Sequence, residues 1–123
     1  MAVNYTTAVK NARLDAVVTA IGSAGVLEIG TAGMASVLAT IALGNPAGTS
    51  AGGVLTFSGF PRTDSSADAS GTAAAARIRT ASGGTDVITG LTVGTSGTDI
   101  VLDSVSITAG QSVTINSATI THA

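Results

Sequence analysis

The apolar positions of this chain change their spacing near residue 24. Before that point, from about Thr6 to Ile21, they recur at intervals of three and four, which places them on one face of an α-helix. The face comprises Val9, Ala12, Ala16, Val17, Ala20 and Ile21, widened by Leu14 and Val18, with Lys10, Asn11 and Asp15 on the wetter side. Thr6 or Thr7 can cap the start, and Gly22 can adopt the left-handed conformation that ends a helix. The pattern therefore predicts one N-terminal helix.

From residue 25 onward the spacing becomes two, which is typical of β-strands. Alternating runs predict strands at 27–29, 37–43, 54–58, 72–80 and 87–93. The first of these strands has Glu28 between two apolar residues, which predicts one buried and one solvated face. Turn-forming residues predict loops at 45–53 and 64–71, with hairpin turns at 52–53, 83–84 and 94–97.

The alternation changes parity twice near the C-terminus. The slips fall near 103–104 and 116–117, so we expect a bulge or bend at each, with a hairpin turn at 109–110 between them. Many short strands separated by Gly turns predict a mainly β fold. We expect an antiparallel β-sandwich or jelly-roll-like barrel of about seven to eight short strands with one N-terminal α-helix. In this division, residues 1–24 are a helix or arm and residues 25–123 are a single β-sandwich domain.

The helix and one arginine pair are the candidate contact surfaces. The helix either covers the open end of its own β-domain or reaches a neighbouring subunit. In the second case Val9, Arg13 and Val17 would contact the partner. Arg77 and Arg79 point away from the apolar face of the predicted strand 72–80. They either lie on a solvated face or bind an acidic partner surface.

Charged and reactive side chains are scarce. The 123 residues include no Cys and a single His, and 10% are charged, against about 25% in an average soluble domain. So little charge offers weak protection against association, and we expect a homo-oligomer. The net charge of −2 and the scattered basic residues argue against nucleic-acid binding. The longest apolar stretch, 32–43, is too short and too interrupted to span a membrane, and no secretory signal is expected.

No catalytic or cofactor-binding pattern emerges. The Gly-rich turns lack the spacing and the Lys of a phosphate-binding loop. Asp64 and Asp68 bracket two serines, which indicates turn acids or caps of the loop backbone, with an incidental cation site as the alternative. His122 with Ser117 and Asp103 is a poor triad, because a base near a chain end is not held against its nucleophile. We therefore predict no enzyme activity, no metal and no cofactor.

Several short sequence motifs occur together along nearly the whole chain. They are NYTTA at 4–8, KNARLDA at 10–16, TAIG at 19–22, GGVLT at 52–56, DSSADASGTA at 64–73 with Arg77-Ile78, and VGTSG at 93–97. Read together, they resemble a family of small proteins encoded in tailed bacteriophages and prophages. The resemblance implies a structural protein of the virion. This chain departs from the family pattern after Ala73, where aromatic residues are expected and three alanines stand.

The first functional hypothesis is a bacteriophage capsid decoration (cement) protein. Such a protein would be made in the host cytoplasm, bind the major capsid protein on the outer head surface, and clamp neighbouring capsid subunits as a trimer. The first alternative is a structural component of the tail or fibre. The second is a carbohydrate-binding adhesion domain, for which Tyr5, Phe57 and Phe60 are the aromatic residues that could stack on a sugar ring.

Overall fold

The computed structural model of this protein describes residues 5–44, 47–81 and 83–121. One α-helix, a short 3-10 helix and twelve strands lie in these residues. In chain order they are α1 (Thr7–Ile21), β1 (Val26–Gly30), the 3-10 helix (Ala32–Met34), β2 (Val37–Ala42), β3 (Gly48–Ala51), β4 (Val54–Phe57), β5 (Arg62–Asp64), β6 (Gly71–Thr72), β7 (Ala75–Arg79), β8 (Asp86–Leu91), β9 (Val93–Gly94), β10 (Ile100–Leu102), β11 (Ser106–Ile107) and β12 (Val113–Thr121). The strands are shorter and more numerous than the about seven to eight that turn spacing predicts.

Helix α1 has the limits that its capping residues predict. The hydroxyl of Thr6 accepts a hydrogen bond from the Val9 amide at 3.4 Å, which satisfies one of the unpaired donors of the first turn. At the other end, Gly22 has φ 74° and its amide donates to the carbonyl of Val18 at 3.3 Å. The predicted helix is confirmed at both ends.

The strands form two principal sheets and one small ribbon. Strands β2-β1-β7-β8 make an antiparallel four-stranded sheet. Strands β3-β4-β12-β10-β9 make the second sheet, in which β5 pairs with the first part of β12 and β9 runs parallel to β10. Strands β6 and β11 form the ribbon. This sandwich-like arrangement with mainly antiparallel pairing confirms the predicted fold class.

One hydrophobic core joins both sheets and the helix. Its larger members are Leu27, Ile29, Leu38, Ile41, Ile78 and Leu91 from the first sheet, Leu55, Phe57, Ile100, Leu102, Val113 and Ile115 from the second, and Leu14 and Ile21 from α1. Burial of each such side chain contributes about 1.5–3 kcal/mol before conformational entropy is counted. The helix is therefore a structural part of the β-domain it precedes.

The sequence predicts a loop over the whole segment 45–53, and this prediction is only partly right. Asn45 and Pro46 lie outside the described residues, but β3 occupies most of the segment and pairs with β4. A Cβ at Gly48 would lie 2.4 Å from the carbonyl oxygen of Thr56, so glycine here permits two strands to approach closely. The hairpin turn at 52–53 is confirmed, since both glycines have positive φ, 60° and 78°.

Three other predictions about turns and strands need correction. The predicted strand 72–80 is divided, because β6 pairs with β11 in the ribbon while β7 belongs to the four-stranded sheet. The segment 94–97 is not a hairpin turn, because β9 and β10, which it connects, are parallel. The turn at 109–110 exists, with φ 84° at Gly110, but it joins no hairpin because β11 pairs with β6 instead of β12.

Both predicted parity slips coincide with irregularities in the second sheet. Val101 is opposite Ser117 and Leu102 is opposite Ile115, so Asn116 has no partner and forms a bulge. Strand β10 ends at Leu102 and β11 begins at Ser106, so the first slip coincides with an interruption between two strands. In both places the irregularity lets the side chains on either side of it remain in the core.

The outer edge of β2 is covered by β5 and by the loop that follows it. The Arg62 guanidinium donates to the Ala42 carbonyl at 3.1 Å, and Asp64 accepts from the Thr40 amide at 3.1 Å. Two residues further along β2, the carbonyl of Leu38 accepts from a backbone amide of the same loop at 2.7 Å. These contacts satisfy edge groups that would otherwise be open to another strand. They also connect the two sheets, because β5 belongs to the second one.

Candidate functional site

One side of α1 packs against the β-domain. Leu14 and Ile21 are buried, with Val17 and Val18 half-buried against the core. At the N-terminal end the contacts are polar, since the Asn11 side-chain oxygen accepts from the Gly53 amide at 3.0 Å. The helix is thus fixed to the sheet by apolar contacts at one end and hydrogen bonds at the other.

Polar contacts continue along the same side of the helix. The hydroxyl of Ser50 donates to the Asp15 carboxylate at 2.6 Å and lies 3.3 Å from the Asn11 carbonyl. Asn11 therefore faces the protein, and its predicted place on the wetter side of α1 is wrong. The side that faces the domain therefore combines Asn11 with Leu14, Val18 and Ile21 of the predicted apolar face.

The opposite side of α1 is exposed and apolar. Tyr5, immediately before the helix, and Val9 in its first turn are 44% and 43% exposed, and they are the large apolar residues with the greatest exposure among those described. The exposed side continues through alanines at 12, 16 and 20. We call these five residues the exposed face of α1. The predicted apolar face is therefore divided, because Val9 and these alanines are exposed whereas Ile21 is buried and Val17 is half-buried.

An exposed apolar helix face is unusual for a monomer. A surface helix normally presents charged and polar residues to water, and a helix that is apolar on all sides is normally buried. The charge beside this face is Arg13, whose Cζ lies 4.6 Å from the centroid of the Tyr5 ring. At that distance the guanidinium stacks on the ring in a cation–π contact, which holds both side chains at the start of the helix.

The residues predicted to contact a partner fall into three places. Val9 and Arg13 lie together on the exposed side of α1, as a contact surface requires. Val17 is half-buried and packs against the core of its own domain. Arg77 and Arg79 lie on β7 in the four-stranded sheet, each with 22% of the side chain exposed. Contact of these residues with another molecule stays a prediction.

The arginine pair is held by carboxylates of its own chain. Nε of Arg77 lies 2.6 Å from Oε1 of Glu28, and Nη1 of Arg79 lies 3.8 Å from the same oxygen. Nε of Arg79 is also 2.9 Å from Oδ1 of Asp86, although the N–H is not aligned for a hydrogen bond. The four charges sum to zero, so the pair is largely compensated before any acidic partner arrives.

Glu28 is a charged residue whose burial the sequence did not predict. All five residues of β1 are buried, and the Glu28 side chain retains 7% exposure. The predicted solvated face of this strand is wrong, because β7 places Arg77 directly opposite Glu28 and the arginine side chains cover it. The two residues are 49 positions apart in the sequence, so no local pattern could indicate their contact.

The acidic loop also has a structural explanation. One oxygen of Asp64 accepts from the Ser66 amide at 3.1 Å, in addition to the bond that the other accepts from Thr40. Asp64 is therefore a cap of the loop backbone, which was one of the two readings of this segment. Among residues 5–44, 47–81 and 83–121, no group of three potential metal ligands lies together. His122, the base of the rejected triad, is outside the described residues.

The aromatic residues differ in their access to a sugar. Phe57 is buried in the core, with 3% exposure. Phe60 is half-buried, and the Arg62 guanidinium lies 5.7 Å from its ring centroid. Tyr5 is exposed beside Arg13. The three rings therefore do not form a common stacking surface.

Cavities and similarities to known proteins add no further site. No pocket was found in the described part of the chain, and none of its helices is long and apolar enough to cross a bilayer. Comparison with protein-family models, with curated proteins and with solved structures found no match. The exposed face of α1 is accordingly the candidate functional site.

Proposed function

We propose that this chain is a decoration protein of a bacteriophage head. It binds the outer surface of the assembled capsid as a trimer and stabilises the contacts between major capsid protein subunits. The observation that carries the proposal is the exposed face of α1, an apolar surface fixed on a β-sandwich. The sequence motifs that resemble small proteins of tailed phages support a location in the virion.

The mechanism follows from the addition of buried surface across a seam. Head expansion and packaged DNA pull capsid subunits apart, and a protein that binds both sides of a seam must be detached before the seam can open. Each Å² of buried apolar surface contributes about 25 cal/mol. Three linked copies raise the overall affinity by roughly 10²–10⁴ over a single copy, so each individual contact can be small.

The composition suits this role. Decoration requires no nucleophile, base or metal, and the chain has no Cys and 10% charged residues. It does require a body that keeps its shape under load. The edge contacts from Arg62 and Asp64 to β2, which tie the two sheets together, supply such rigidity.

The test uses particles of the phage that encodes the chain. Quantitative mass spectrometry of purified heads and tails should find the protein in heads, in a copy number near that of the major capsid protein. Heads that lack the protein should lose DNA at a lower temperature and regain stability when the purified chain is added. Detection only in tails, or absence from particles, would overturn the proposal.

A substitution on α1 connects this test to the structure. Val9→Asp places a charge on the exposed face without disturbing the core. We expect it to weaken the contact between copies in the trimer and so to lower binding to undecorated heads by about tenfold or more, because linked attachment is lost. Asn116→Asp is the matched control, since Asn116 is an exposed residue at the bulge of β12. Equal binding by the two variants would remove α1 from the mechanism.

A further inference from the structure

The charged groups that make no ion pair or hydrogen bond within the described chain lie in two separate places. Among the described residues, the ammonium group of Lys10 makes no ion pair or hydrogen bond, and the guanidinium of Arg13 contacts only the ring of Tyr5. Both are on α1. The carboxylates of Asp68 and Asp103 are exposed and likewise have no ion pair or hydrogen bond in the described chain. The remaining described acidic residues are bonded to partners of their own chain.

These two sets of charges are at opposite ends of β12. Asn11, beside Lys10, bonds the Gly53 amide next to the pairing of Val54 with Thr121, the last residue of β12. At the other end, the amide of Asp103 donates to the carbonyl of Thr114 at 3.4 Å. The nine residues of β12 span about 27 Å at the rise of an extended strand.

Asp68 belongs to the same end as Asp103. The amide of its neighbour Ala67 donates to the carbonyl of Gln111 at 2.8 Å, two residues before β12 begins. Ala69 and Val105, which are close in sequence to the two carboxylates, are half-buried and pack against the core. The molecule therefore has an exposed apolar face with Arg13 and Lys10 beside it at one end, and two carboxylates without a partner in the described chain at the other.

We infer that the exposed face of α1 docks on the Asp68–Asp103 end of a second copy of this chain. The contact is head to tail, with Lys10 and Arg13 of one copy against the carboxylates of the next. A symmetric contact of α1 with α1 would instead bring like charges together. Head-to-tail contacts repeat identically around a ring, so a closed trimer uses every such surface. The inference rests on the proposed function only in taking α1 as a contact surface.

The test is a reciprocal exchange of charges in the full-length protein. Lys10→Glu/Arg13→Glu and Asp68→Lys/Asp103→Lys should each raise the dissociation constant of self-association by about tenfold or more, measured by sedimentation velocity at low salt. The variant that carries all four changes keeps the net charge of the original chain and should recover its affinity within about threefold. For the unmodified chain, affinity should fall as salt rises, because exposed charges are screened.

Controls separate an interface effect from misfolding. Asn116→Lys changes charge at the exposed bulge between the two ends and should leave association unchanged. Circular dichroism and the melting temperature of each variant show whether its monomer is folded. Recovery of affinity by the fourfold variant is itself informative, since a misfolded chain would not be rescued by further substitution.

Two results would overturn the inference. One is a chain that stays monomeric at every concentration. The other is weakening by the α1 substitutions alone, with no effect of Asp68→Lys/Asp103→Lys, which would indicate another partner surface. A monomer that still binds phage heads would leave the decoration role standing but would overturn its trimeric form. A ring that is absent from heads would overturn the proposed function and leave this inference intact.

Discussion

Removal of the Glu28 carboxylate should destabilise the fold more than any other change of one charge. Glu28→Gln keeps the shape of the side chain but leaves Arg77 and Arg79 without their shared carboxylate. The 2.6 Å contact with Arg77 and the 7% exposure of the Glu28 side chain mean that water can replace little of what is lost. Removing one partner of a buried pair leaves an uncompensated charge, which costs about 3–5 kcal/mol.

The value expected here is at the lower end of that range. The arginine side chains retain 22% exposure, so water can reach part of each guanidinium. We expect Glu28→Gln to lower the free energy of unfolding by about 3 kcal/mol. For a domain of this size that corresponds to a fall in melting temperature of about 10 °C. Asp86→Asn makes the same chemical change at a 43% exposed carboxylate of the same cluster and should cost about 1 kcal/mol or less.

Urea denaturation followed by circular dichroism measures both values at a single protein concentration. The measurement is repeated at about 0.1 M and 1 M salt, where the screening length falls from about 10 Å to 3 Å. The effect of Glu28→Gln should persist at high salt, because screening acts weakly on a buried pair. If Glu28→Gln costs no more than Asp86→Asn, or if high salt abolishes the difference, the carboxylate is solvated and this reasoning is refuted.

Three further substitutions test the packing of α1 and of the hairpin beneath it. Leu14→Ala should lower the free energy of unfolding by about 2–5 kcal/mol in urea denaturation, because it opens a cavity where α1 meets the core; a cost below about 1 kcal/mol would mean that α1 is not docked. Asn11→Ala should cost about 1–2 kcal/mol by the same assay, since the part-buried Gly53 amide loses its acceptor; no change would show that water replaces the bond. Gly48→Ala should cost about 1–3 kcal/mol in thermal unfolding, because the added methyl group would lie 2.4 Å from the Thr56 carbonyl oxygen; unchanged stability would mean that the two strands are further apart.

Local signals in the sequence predicted the ends of α1 and the bulge in β12 well. Thr6 and Gly22 act on groups within one turn of themselves, so the ends of α1 can be read without knowledge of the rest of the molecule. The bulge at Asn116 was equally predictable, because the alternation on both sides of it belongs to a single strand. By contrast, the sequence predicted too few strands, since a residue that separates two short strands can equally well lie inside one longer strand.

The candidate site was only partly predictable. Val9 and Arg13 were predicted to contact a partner, and they lie together on the exposed side of α1, although contact itself stays a prediction. The predicted apolar face of α1 was too wide, because alanine is compatible with both buried and exposed positions. The bulky Leu14 and Ile21, with the hydrogen bond from Asn11, decide the orientation of the helix.

The amino-acid sequence alone determined the character of this protein: a mainly β chain with one capped helix, low charge and little reactive chemistry. Only the tertiary structure decided which surfaces are covered. It buried Glu28 under Arg77 from a strand 49 residues away, and it left Val9 exposed. The physical reason is that an element's own residues encode its conformation, whereas burial depends on which distant element packs against it.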